Sequence, residues 1–82
     1  MDYIRLHDFY NPKTSIVVSC SEIAAIEQGS KLNSNADFSN LEGCKEFGSK
    51  ITMKYCFPHN QYERVTFYVA ESTEHIYSYL NK

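Results

Sequence analysis

The side chains in this chain best suited to chemistry are three histidines and three cysteines: His7, His59, His75, Cys20, Cys44 and Cys56. A hydrolase needs a nucleophile, a base and an orienting group that converge in a pocket. Ser and Cys are available, but no Gly-x-Ser-x-Gly elbow or equivalent marks one of them as activated. His75 falls in the first turn of an expected helix and should face solvent. So short a chain also has little room for a ligand pocket of the usual ~300 Å³ or more. The expectation is a protein without catalysis. Cys56-x-x-His59 has the spacing of a metal-ligand pair, and Cys20 and Cys44 would complete a set of three cysteines and one histidine. Zinc modules usually show two close pairs, however, and buried cysteine acting as a small apolar residue is the commoner use. Neither a metal nor another cofactor is expected.

A third chemistry is base stacking. Tyr3, Tyr55, Tyr62 and Tyr68 would supply platforms, with Arg5, Lys54 and Arg64 nearby. Against it, tyrosine on a small sheet is usually half-buried packing with its hydroxyl at the rim. The eight Lys and Arg are scattered among ten acidic residues, for a net charge of -2, and form no basic stripe. Electrostatic attraction to nucleic acid needs a clustered positive face.

These residues must be positioned by a small scaffold. With 82 residues the chain allows one domain and one core. A chain of this size hides only about 60–65% of the surface its unfolded form exposes, so self-association would help it. Hydrophobic residues make up 43%, too apolar for disorder. The odd number of cysteines argues against a secreted disulfide scaffold. Asp2 and Arg5 interrupt the amino terminus, so no signal peptide is expected. The apolar runs are too short to span a membrane. Free thiols in a reducing cytoplasm are the expected setting.

Alternation sets the strands. YIRLH (3–7) places Ile4 and Leu6 on one face, and TSIVVSC (14–20) turns Ile16, Val18 and Cys20 inward. Asn11-Pro12 marks the turn between them. A helical turn at 21–24 then runs into a short strand ending near residue 27; a full helix there is the rival, because Ala24 and Ala25 are good helix formers. SKITMKYCF (49–57) alternates, with Ile51, Met53, Tyr55 and Phe57 on one face. Residues 58–61 form a turn, and YERVTFYVA returns as the antiparallel partner. Ser72 caps a closing helix with Glu74 in its first turn, and Ile76 and Leu80 face the sheet. The predicted core is Ile4, Leu6, Ile16, Val18, Ile23, Ile26, Ile51, Met53, Val65, Phe67, Val69, Ile76 and Leu80. The fold class is α+β: a small, strongly bent antiparallel sheet or partly closed barrel of about five strands with a C-terminal helix. Residues 28–48 are an insertion in this single domain, rich in Gly, Ser and Asn. They either stay disordered or hold a short helix capped by Asn35 or Asp37 and ending at Gly43.

IRL, SIVVSCSEIAAIEQ, GSKITMK and VTFYVAESTEHIYSYL together resemble the small flagellar and swarming-motility (FlbD-like) proteins. The resemblance covers most of the chain outside 28–48, where that family has only a few residues. The hairpin turn departs from the family's short Asn-Gly or Asp-Gly. It implies a small accessory or regulatory protein without catalysis and carries no functional residue over.

The expected function is therefore a small interaction module that binds another protein or itself. The alternatives are a nucleic-acid-binding or regulatory domain, or an inhibitor encoded by a mobile element. Loops on a rigid scaffold carry function more often than the scaffold does. The insertion displays Leu32, Phe38, Leu41 and Phe47 in a polar stretch. Leu32, Phe38 and Leu41 are the candidate partner-binding residues, and Phe47, next to the hairpin, is expected to tuck in.

Overall fold

The computed structural model describes residues 2–32, 38 and 40–81. Among these residues five strands and one helix follow in the order β1 (Tyr3–His7), β2 (Ser15–Ser19), β3 (Ile23–Lys31), β4 (Phe47–Phe57), β5 (Asn60–Val69) and α1 (Thr73–Leu80). A single 3-10 turn, Cys20–Glu22, makes the corner between β2 and β3. The fold is α+β, with β1 and β2 in one antiparallel sheet and β3-β4-β5 in a second. The strands do not close into a barrel.

The sheets are stitched at one corner. Asp8 bridges Val69, the Phe9 N–H donates to the Tyr68 carbonyl (2.9 Å), and the Ala70 N–H donates to the His7 carbonyl (2.8 Å). Gly48 lies under this corner, where a Cβ would run into the Val69 carbonyl and the Phe9 ring. Every residue of the predicted core belongs to one cluster. Leu6, Ile51, Val69 and Ile76 are fully buried at its centre, with Ile16, Ile23, Ile26, Val65, Phe67 and Leu80 packed around them. The Ser72 hydroxyl accepts the His75 N–H (3.2 Å), satisfying a free donor of the first helical turn. The Tyr79 hydroxyl donates to the Tyr3 carbonyl (2.6 Å), tying the helix across the start of β1.

Three local expectations change. β3 runs on to Lys31 and β4 begins at Phe47, so both strands reach into the stretch that composition marks as insertion. The hairpin turn is shorter than 58–61, because Phe57 pairs with Asn60 and only Pro58 and His59 lie between them. Tyr55 is 46% exposed instead of facing the core. The alternation fails there because the β4–β5 register shifts between Thr52 and Cys56.

Candidate functional site

Three segments meet where β5 passes into α1. Glu71, between them, is 1% exposed. Its carboxylate accepts the His7 backbone N–H at 2.9 Å and lies 2.7 Å from His7 Nδ1. The Ser49 hydroxyl donates to the Glu71 carbonyl at 2.7 Å. The Ser72 N–H donates to the Gly43 carbonyl at 2.8 Å, which brings the end of the insertion onto the helix start. Gly43 takes φ 86°, a left-handed conformation that suits glycine, and a Cβ there would enter the His75 ring. His75 is therefore half-buried under the insertion instead of facing solvent.

A carboxylate oriented on a histidine is two thirds of a hydrolytic triad. The nucleophile is the weak point. Ser49 is 1% exposed and already donates its proton to a carbonyl. Cys44 lies near Glu71, and burial, then the Glu71 charge, push its thiol up from 9.0 to about 11. The thiolate is the reactive form, so near neutral pH this cysteine stays an unreactive thiol. The arrangement works as a clamp. A buried carboxylate left without partners would cost several kcal/mol, and here two His7 groups face it.

Next to the clamp lies a cavity of about 230 Å³. Gln28 of β3, Lys45, Glu46 and Phe47 at the head of β4, and Thr73 and Glu74 of α1 line it. The Leu32 N–H donates to the Glu46 carbonyl (2.9 Å), extending the β3–β4 pairing into the insertion. Lys45 reaches Glu74 at 3.1 Å and Lys31 reaches Glu46 at 3.7 Å. The volume falls below the roughly 300–1,000 Å³ of a small-molecule site and suits one inserted side chain.

The candidate partner-binding residues divide. Phe38 is 5% exposed, so it serves this chain's own packing. Leu32 and Leu41 are half-buried. Phe47, expected to tuck in, is 36% exposed and lines the cavity. The caps Asn35 and Asp37 lie outside the described residues. Residues 40–43 form turns, with the Leu41 N–H on the Phe38 carbonyl (3.1 Å) and the Cys44 N–H on the Leu41 carbonyl (3.4 Å). Cys20, Cys44 and Cys56 are free thiols, and among the described residues no metal-holding group of three His, Cys, Asp or Glu forms. None of the described helices is long and apolar enough to cross a membrane.

At the far end of the second sheet the β4–β5 hairpin outruns its neighbour. β3 pairs with β4 only as far as Met53. Beyond it, residues 54–64 form an overhanging arm that carries Lys54, Tyr55, Tyr62 and Arg64. Of the stacking candidates, Tyr55, Tyr62, Lys54 and Arg64 lie on this arm, Tyr68 lies further along β5, and Tyr3 and Arg5 lie on the other sheet. The Asn60 side chain accepts the Tyr62 N–H (3.0 Å) and donates to Glu63 Oε2 (3.3 Å), and Tyr62 stands 90% exposed. No protein-family model, curated protein or solved structure matches this chain.

Proposed function

We propose that the chain is a small, non-enzymatic, cytoplasmic interaction module that binds another protein or a second copy of itself. Its docking surface is the cavity between the head of β4 and the start of α1. The observation that carries this reading is Phe47, a large aromatic exposed on a cavity pinned by hydrogen bonds from Leu32, just past β3, and from the Ser72 cap. Interface anchors are most often aromatic or Arg side chains seated in ordered pockets of this kind. The raised Cys44 thiol and the buried Ser49 hydroxyl support the non-catalytic part. The resemblance to the FlbD-like proteins agrees with it, since it implies an accessory protein.

A photo-crosslinking amino acid placed at Phe47 should give a protein adduct in cells. The same group at Val17, exposed on the first sheet, should not. Equal yields from both positions, or no adduct from Phe47, would contradict the proposal. A second reading is favoured by the arm alone: Tyr55 and Tyr62 beside Lys54 and Arg64 have the composition of a single-strand stacking surface. It calls for a salt-dependent shift with labelled single strands, and absence of binding at low salt removes it.

A further inference from the structure

We infer that the side chain entering the cavity is Arg64 from the β4–β5 arm of a second copy of this chain, lying over Phe47 and beside Glu46. The inference rests on the reading of the cavity as a protein-docking site. The arm looks unfinished by itself. A two-stranded ribbon is marginally stable in water, yet this one leaves Tyr62 90% and Tyr55 46% exposed. Tyr and Arg are the residues most enriched among interface anchors. Lys54 and Arg64 outnumber the one acid of the arm, Glu63, while the whole chain has a net charge of -2, so the body is acidic and the arm is not.

The cavity has the complementary character. Phe47 offers an aromatic face to a guanidinium, and among the charged lining residues the two acids, Glu46 and Glu74, outnumber Lys45. Both acids already meet a lysine, but these pairs are 64–80% exposed and the Lys31–Glu46 contact is long, so they oppose an incoming cation weakly. Two copies exchanging arms about a two-fold axis would close into a dimer, and arms that do not reciprocate would build open chains.

Sedimentation equilibrium at high micromolar concentration and low salt tests the inference. Wild type should sediment above the mass of one chain. Arg64→Glu should weaken association at least ~tenfold, as should Glu46→Arg, and the double variant should recover it. Both positions are exposed, so neither variant should disturb folding. A single-chain wild type, single variants that keep the wild-type mass, or a double variant as dissociated as the singles would overturn the inference. If the Phe47 crosslinks of a single-chain wild type went to a different protein, the docking cavity would stand and the second copy would fall as its occupant.

Discussion

The two halves of the β4–β5 hairpin are held in opposite ways. From Phe47 to Met53, β4 is flanked by β3 and β5, and this half is closed at its end by the His7–Glu71 clamp. From Lys54 to Arg64 the strands have each other, two register shifts and an asparagine whose side chain accepts the Tyr62 N–H. The first half fixes positions, which a docking cavity needs. The second leaves large side chains in water, which a docking anchor needs. Local stability follows the density of buried contacts, so the two halves should separate in every measurement that reads it.

The largest effect should come from the held half. Ile51→Ala removes a fully buried side chain at the centre of the cluster. It should cost about 2–5 kcal/mol, a large part of what so small a domain has, read by denaturant unfolding. Glu71→Ala should follow at roughly 1–3 kcal/mol, since it strips the His7 N–H of its buried acceptor. A near-neutral Glu71→Ala would show that the clamp does not hold the junction.

A smaller effect is pH-dependent. The Cys44 thiol binds its proton more tightly folded than unfolded, so its contribution is complete below about 9 and is lost as pH rises through about 11. Melting curves of wild type and Cys44→Ala should therefore converge in that window. Parallel curves would mean that the thiol is not desolvated by the fold. The smallest effect belongs to the arm. Tyr62→Ala should change stability by less than about 0.5 kcal/mol while weakening association. Loss of folding in this variant would erase the contrast between the halves.

Much of the core was legible because it obeys a period. Ile4 and Leu6, Ile51 and Met53, and Val65, Phe67 and Val69 alternate, and Ile76 and Leu80 repeat at helical spacing behind the Ser72 cap. The candidate site was harder to read. Gly29 and Ser30 look like loop residues, yet they lie in β3, because tertiary pairing outweighs local preference. Phe38 and Phe47 exchanged their expected places, since nothing local says which aromatic of a polar stretch finds the core. The His7–Glu71 clamp joins residues 64 positions apart, with no pattern to announce it. The arm was hidden by its own alternation, which continues in sequence past the point where β3 stops pairing.

If the cavity and the arm are two sides of one contact, both should report on it. The amide NMR spectrum, followed as the chain is diluted from high concentration, tests it most directly. The moving signals should fall in two groups: Lys45–Gly48 with Ser72–Glu74, and residues 54–64. Signals that move only on β1 and β2, or a spectrum that does not change on dilution, would contradict it.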